Sequence, residues 1–220
     1  MSKANSRYRW VVVAIFFFFM LLHQSDKLLI GPLTPDIIAE FKISMTQMGA
    51  VIIILAGGYF LGGALGDWAF KRNVRGRIIV SSAGVLLGAI FLYLAIKTPV
   101  YDQTQFFILM ALTALFMPLS SPNVIATVYD ITPPEVRSTA QSVEYFVESS
   151  GAALAPLMAG IIADAFNLET SILTICTIAW LLCFIFYLGA MFTIKKDVHS
   201  LRTQMEERAN IERARQAAAS

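Results

Sequence analysis

Three carboxylates lie within apolar stretches of the chain. Glu144 and Glu148 stand four residues apart in one stretch, and Asp26 lies in another. A charge in the interior of a bilayer costs about 3 kcal/mol or more, so a carboxylate at such a position indicates a site for protons or cations. The four-residue spacing places Glu144 and Glu148 on one face of a helix. The structural alternative is that each carboxylate only pairs with a nearby polar group, and the pattern leaves this open, above all for Asp26.

Other polar residues accompany these carboxylates. His23 stands close enough to Asp26 along a helix to relay a proton, although a histidine that only satisfies hydrogen bonds remains the alternative. Lys27 points to a different face from Asp26 and can extend towards the membrane surface. A proline-interrupted polar patch at 120–123 would be poorly tolerated against lipid. We therefore predict a wet cavity. Its lining residues are Gln24, Lys27, Ser120, Ser121 and Asn123.

Membrane spans are the elements that must position these residues. The chain has 220 residues, of which 57% are hydrophobic and 15% charged, whereas a soluble domain carries about 25% charged residues. A span needs roughly 20 apolar residues, and residues 1–195 contain six windows of that kind. The windows cover residues 10–32, 45–66, 78–96, 106–128, 139–163 and 172–194. We predict an all-α membrane protein with a charged, alanine-rich tail at 196–220 that forms a solvated helix or frays.

The composition argues against several other classes of protein. A net charge of +2 is too small to indicate a nucleic-acid partner. Cys176 and Cys183 fall within one apolar run, so neither a disulfide framework nor a zinc site is expected. The sequence shows no recognisable nucleophile–base pair, metal-ligand cluster or phosphate-binding loop. We predict neither an enzyme nor a bound cofactor or metal.

Basic residues indicate how the chain inserts. Lysine and arginine concentrate at the two termini and in the loops 67–77 and 129–138, whereas the opposite loops hold little more than Lys42 and Lys97. Because cytoplasmic loops are enriched in Lys and Arg, both termini are predicted to be cytoplasmic. The basic N-terminus would also suit a signal peptide, but the segment 23–27 is not a small-residue cleavage site. The predicted location is multi-pass in the cell (inner or plasma) membrane.

Small residues recur in the second and fifth predicted spans. Gly58, Gly62 and Gly66 stand at four-residue steps, and the segment 149–160 is rich in Ser, Gly and Ala. Rows of small residues let helix backbones approach closely. Such a row serves packing within one bundle or an interface between subunits, and the pattern does not separate the two.

Several motifs resemble those of the major facilitator superfamily. The sequence GALGD at 63–67, followed by basic residues up to 77, resembles the loop signature between the second and third helices of a family half. YDITPPEVR at 129–137 resembles the turn after the fourth helix, and GAALAPLMAG at 151–160 resembles the fifth helix. DK at 26–27 with PDII at 35–38 resembles the opening of such transporters. The resemblance covers residues 9–195.

This resemblance implies a fold and a function. Family members ordinarily have twelve helices in two six-helix halves related by an axis along the membrane normal, and this chain holds one half. Within a half, the first and fourth helices line the cavity, the second and fifth form the seam, and the third and sixth face lipid. We expect a six-helix bundle, completed by homodimerisation, that transports a small solute by alternating access coupled to protons. The alternatives are a non-transporting scaffold or regulatory subunit and a fragment of a larger transporter.

The resemblance and the residue chemistry together assign roles to three groups of residues. Proton coupling is assigned to His23, Asp26, Glu144 and Glu148. The cytoplasmic gate of ion pairs comprises Asp67, Lys71, Arg72, Arg75, Arg77, Asp130, Glu135 and Arg137. The dimer seam comprises Gly58, Gly62, Gly66, Ser149, Gly151 and Ala155, with the second span of one protomer against the fifth span of the other.

Overall fold

The computed structural model describes residues 38, 44–99 and 101–219, and this part of the chain is helical. The first predicted span, 10–32, lies outside the described residues. The helices, in chain order, are α1 (Met45–Arg72), α2 (Gly76–Ile96), α3 (Gln103–Phe116), α4 (Ser120–Ile131), α5 (Arg137–Ala165), α6 (Leu168–Ile172) and α7 (Ile178–Ala219). Within the described residues, five helical stretches are long and apolar enough to cross a membrane. Each of them includes or overlaps one of the second to sixth predicted spans, and the last continues far beyond residue 194.

Two of these stretches contain local changes of helix type. A 3-10 turn, Met117–Leu119, joins α3 to α4, and Pro118 within it explains the tighter winding because proline cannot donate a backbone hydrogen bond. A π-helical segment, Leu173–Thr177, joins α6 to α7. Each pair of helices therefore runs on as one span instead of turning back.

Polar caps fix where three helices begin. The Ser44 hydroxyl accepts from the Gln47 backbone amide at 3.1 Å, and the Gln47 side chain accepts from the Ser44 amide at 2.8 Å. This reciprocal pair satisfies two amides that the first turn of α1 would leave free. Asp102 caps α3 and Asn167 caps α6 in the simpler one-bond form.

Helix α2 lies at the centre of the described bundle and packs against α1, α3, α4 and α7. Its inner face is built from small residues, and a Cβ atom on Gly84 would stand 2.7 Å from the Phe116 carbonyl oxygen. Its outer face carries Ile79, Ile90 and Leu94, which are exposed. One face of the third predicted span therefore packs within the bundle, and the other is free to meet lipid.

The glycine row on α1, which the sequence analysis assigns to the dimer seam, packs against other helices of the same chain. Gly58, Gly62 and Gly66 are all buried. A Cβ atom on Gly58 would lie 2.5 Å from the Leu115 carbonyl oxygen, and one on Gly62 would lie 2.6 Å from the Leu119 backbone. The row therefore lets α1 approach the α3–α4 span closely.

The bundle has two distinct ends. Arg77 and Asp130 meet at one end, together with the α1–α2 and α4–α5 turns, and we call this the basic end. The turn between α5 and α6 lies at the opposite end, where Lys97 pairs with Glu169 at 2.6 Å. The last helix, α7, continues past the basic end as a single helix to Ala219.

Candidate functional site

Two carboxylates of α5 are buried in the described structure. Glu144 is 7% exposed and Glu148 is 8% exposed, and Val147 beside them is buried as well. Residues around them on the other side of α5, including Val143 and Phe146, are exposed. The acidic side chains of α5 therefore face the interior of the bundle and its apolar side chains face outward, which is the reverse of a helix in a soluble protein. A membrane span beside a polar interior requires this arrangement.

Glu144 belongs to a buried polar cluster that connects four helices. Its centre is Tyr187 of α7, which is 6% exposed. Ser81 on α2, Ser120 on α4, Glu144 on α5 and Cys183 on α7 are the polar neighbours of the phenol. We call these five residues the Tyr187 cluster.

The hydroxyls of the two serines in the cluster donate hydrogen bonds to backbone carbonyl groups of their own spans. The Ser81 hydroxyl donates to the Arg77 carbonyl at 2.9 Å, and the Ser120 hydroxyl donates to the Met117 carbonyl at 3.3 Å. With these protons engaged, the oxygen of either serine can act as an acceptor towards the single proton of the Tyr187 phenol.

Sequence reasoning missed Ser81 and Tyr187. Ser81 lies in the third predicted span and Tyr187 in the sixth. Both spans were expected to face lipid because they lack charged residues. The available signal was the hydroxyl itself, since a hydroxyl inside a span needs a partner. Comparing the depth of Tyr187 with that of Ser120 would have indicated the cluster.

The polar patch on α4 is buried between helices. Ser120 is fully buried, and Ser121 and Asn123 are 8% and 1% exposed. The Asn123 amide nitrogen donates to the Gly62 carbonyl at 2.9 Å and to the Leu119 carbonyl at 2.8 Å. Asn123 therefore connects α4 to α1, and its predicted role in lining a cavity remains a prediction.

At the basic end, Arg77 bridges two helices. Its guanidinium donates to Asp67 of α1 at 2.7 Å and also to Asp130 of α4. The Phe70 ring lies 4.2 Å from the guanidinium carbon, a distance suited to a cation–π contact. The Arg77 side chain is only 14% exposed, although that of Asp67 is 61% exposed. The three residues thus hold α1, α2 and α4 together at this end.

The other predicted gate residues have separate contacts. Arg137 donates to the Tyr129 carbonyl at 3.0 Å and to the Thr132 carbonyl at 3.2 Å, so it closes the α4–α5 turn. Glu135 pairs with Arg208 of α7 at 2.6 Å. Arg72 stacks on the Trp68 ring at 3.9 Å. Among the described residues, Lys71 and Arg75 make no ion pair.

Across the bundle, the ion pair of Lys97 and Glu169 lies outside the spans. Its hydrogen bond from the Lys97 ammonium to the Glu169 carboxylate raises the pKa of Lys97 above its ordinary value. Both side chains are about half exposed, so the pair joins two loops and contributes little to stability.

The remaining predicted site residues lie on the fifth helix or outside the described residues. On α5, Ser149 is exposed and Gly151 is buried, and the side chain of Ala155 lies outside the description. His23, Gln24, Asp26 and Lys27 fall outside the described residues. Within residues 38, 44–99 and 101–219, no group of three His, Cys, Asp or Glu side chains could hold a metal ion.

Comparison with known proteins accounts for the fold. The chain is similar in structure to a mutant of the peptide transporter POT, crystallised in complex with sulfate, at 20% sequence identity and a TM-score of 0.60. The match covers 93% of this chain and 44% of that transporter, so the chain spans less than half of its length. No curated protein matches the chain. The family model of the Major Facilitator Superfamily matches residues 11–217, and the chain is therefore a multi-pass membrane protein that belongs to this superfamily.

Proposed function

We propose that the chain is one half of a secondary transporter that moves a small solute by alternating access coupled to protons. The observation that carries this proposal is the burial of Glu144 and Glu148 in the interior of a span. A buried carboxyl that faces each side of the membrane in turn takes up a proton on one side and releases it on the other. A scaffold or regulatory subunit has no need of these costly groups, so this alternative is disfavoured.

Arg77, Asp67 and Asp130 act as the inner gate in this proposal. Arg77 holds α1 and α4 together through charge-assisted hydrogen bonds. The basic loops support a cytoplasmic location for this end, because cytoplasmic loops are enriched in Lys and Arg. Opening towards the cytoplasm then requires Arg77 to release at least one of the two carboxylates.

A second parallel copy of the chain supplies the other half. Copies that insert with the same orientation can meet only in parallel, as the two halves of the family do. Among the described spans, those of α1 and α5 are the least buried. Their outward faces, which include Ala56 and Phe60 on α1 and Phe146 and Ser149 on α5, are exposed. We place the seam on these faces, in place of the glycine row.

Transport assays in proteoliposomes test the proposal. Purified protein is reconstituted with an internal pH dye and screened with small solutes, beginning with short peptides because the structural neighbour is a peptide transporter. We expect solute addition to drive proton uptake in the wild type and in the control Glu212→Gln, which alters an exposed carboxylate of α7.

The decisive variant is Glu148→Gln, which keeps the shape and the hydrogen-bonding capacity but removes the titrating group. It should abolish solute-driven proton uptake and leave exchange of labelled solute across the membrane intact. Normal proton uptake by Glu148→Gln would remove this residue from the coupling site.

A further inference from the structure

The part of α7 beyond the predicted span packs against the basic end of the bundle. Val198 and Leu201 are 3% and 9% exposed, although the helix around them is otherwise exposed and charged. Seven residues after Leu201, the Arg208 guanidinium lies 2.6 Å from the Glu135 carboxylate in the α4–α5 turn. These residues lie at steps of three and seven positions, so they form one face of the helix. We call the segment 198–208 the clasp.

The clasp and one of the gate carboxylates line the same open cavity. A cavity of about 360 Å³ lies between the clasp and the α4–α5 turn, and Asp130 lines it together with Tyr129, Arg137, Leu201 and Arg202. Asp130 is the residue that Arg77 holds on the bundle side. The end of α4 is therefore held by Arg77 within the bundle, and the clasp faces it across the cavity and contacts the turn that follows it.

The same helix connects the clasp to the Tyr187 cluster. Tyr187 and Cys183 lie in α7, and the helix continues without a break from Ile178 to Ala219. A continuous helix transmits rotation and tilt along its length. A change at the buried cluster that tilts α7 must consequently move the clasp relative to the α4–α5 turn.

We propose that the clasp is a conformational strap that holds the basic end closed. This inference rests on the proposed gate function of Arg77 and Asp130. The apolar contacts of Val198 and Leu201 carry most of the attachment. The pair of Glu135 and Arg208 contributes little to stability, because both side chains are more than half exposed. Its role is to fix the position of the clasp along the α4–α5 turn.

Hydrogen–deuterium exchange on the full chain in lipid nanodiscs tests the strap. Arg208→Glu places two negative charges opposite each other and should loosen the attachment of the clasp to the α4–α5 turn, although the apolar contacts of Val198 and Leu201 remain. We expect backbone exchange to speed up about two- to fivefold in the turn 132–136, the range that corresponds to the loss of one exposed ion pair. Exchange in the gate segment 76–81 should rise with it.

Two further variants make the test specific. Arg213→Glu imposes the same charge change on an exposed residue of the same helix and should leave both segments unchanged. The double variant Glu135→Arg with Arg208→Glu restores opposite charges and should return exchange to the wild-type rate. The exchange measurement needs no substrate, so failure of the transport assay would refute the proposed function and leave this test intact.

Three outcomes would overturn the inference. The first is equal exchange in Arg208→Glu and Arg213→Glu. The second is a double variant that exchanges as fast as Arg208→Glu. The third is faster exchange at 132–136 with no change at 76–81, which would make the clasp a docked helix without influence on the gate.

Discussion

At the scale of single residues, Asn123 and Arg77 show two ways in which polar groups hold spans together. Asn123 is almost completely buried and uses its amide to reach carbonyl groups on two helices. Arg77 works at the end of the bundle, where one of its partners is largely exposed to solvent. The expected energetic weight of each contact follows from this difference in burial, because solvent screens the exposed charges.

Replacing Asn123 with alanine should destabilise the protein. The change removes both hydrogen bonds and leaves the Gly62 carbonyl without its side-chain donor, at a cost of about 1–3 kcal/mol. Thermal unfolding of the purified protein measures the effect. Asn210→Ala, in the exposed tail, is the matched control and should leave the midpoint unchanged. An equal midpoint for both variants would show that Asn123 is not a structural connection.

The two partners of Arg77 should contribute unequally. The Asp130 side chain is 27% exposed and that of Asp67 is 61% exposed. Asp130→Asn should therefore lower the free energy of unfolding by about 1.5–3 kcal/mol, as expected for a partly buried charged hydrogen bond. Asp67→Asn should lower it by about 1 kcal/mol at most. Denaturant titration of the two variants provides the comparison, and equal losses would argue against burial as the cause.

At the scale of the elements, α1 has a close-packed face and an open face. Gly62 lies against the Leu119 backbone, whereas a Cβ atom on Gly57 would meet no neighbouring atom within 4 Å. The two glycines differ by five positions in one helix, so their intrinsic helix propensities are equal. Any difference between their alanine variants reports the packing of α1 against the α3–α4 span.

The alanine variants of Gly62 and Gly57 should behave differently. Gly62→Ala forces two backbones apart and should cost about 1–3 kcal/mol, as overpacked cores do. Gly57→Ala should be neutral or stabilising by up to about 1 kcal/mol, because alanine favours helices. Unfolding of the detergent-solubilised protein measures both. Destabilisation by Gly57→Ala alone would contradict the packing described here.

The spans of the described residues were predictable because hydropathy alone determines them. The partners of the glycine row were not, since the same row suits contact within a chain and between chains. Predicting the partner of Gly62 requires the position of Leu119, which only the tertiary structure supplies. Arg77 illustrates the same limit in the gate, because eight charged residues were candidates and their spacing does not show that Arg77 bridges Asp67 and Asp130.

At the scale of the whole molecule, the chain matches less than half of a solved transporter. The described bundle leaves apolar faces of α1 and α5 exposed, and these are the helices that the family layout places at the seam. In the homodimer that we propose, a symmetric pair would cover the same patch on both protomers, as closed two-fold assemblies do. The orientation of the pair and its seam each lead to a measurable expectation.

Cysteines on the outward faces should cross-link between protomers. Ser149 lies about 18 Å along α5 from Arg137, and Ala56 lies about 17 Å along α1 from Asp67, so the two are at similar depth. With Cys176 and Cys183 replaced by alanine, Ala56→Cys combined with Ser149→Cys should give a dimer band on oxidation. Ala56→Cys with Ile90→Cys, an exposed position about 20 Å along α2 from Arg77 and so at similar depth, should not. Dimers from both pairs would indicate random collision.

Single cysteines should report the orientation. A membrane-impermeant maleimide should label Asn73→Cys only after the membrane is opened, because basic loops remain in the cytoplasm. Gln103→Cys, at the start of α3 on the opposite end, should react in intact cells. Labelling of Asn73→Cys from outside would reverse the proposed topology and move the gate to the outer surface.

The uninterrupted helix α7 has a practical consequence for imaging. Its 42 residues extend about 63 Å, roughly twice the hydrocarbon thickness of a bilayer. A small membrane protein is mostly hidden in its detergent belt, which leaves single-particle images with little to align. A rigid helical partner fused in register after Ala219 would share the orientation of the membrane helix. Such a fusion would provide a fiducial for cryo-electron microscopy without altering any loop.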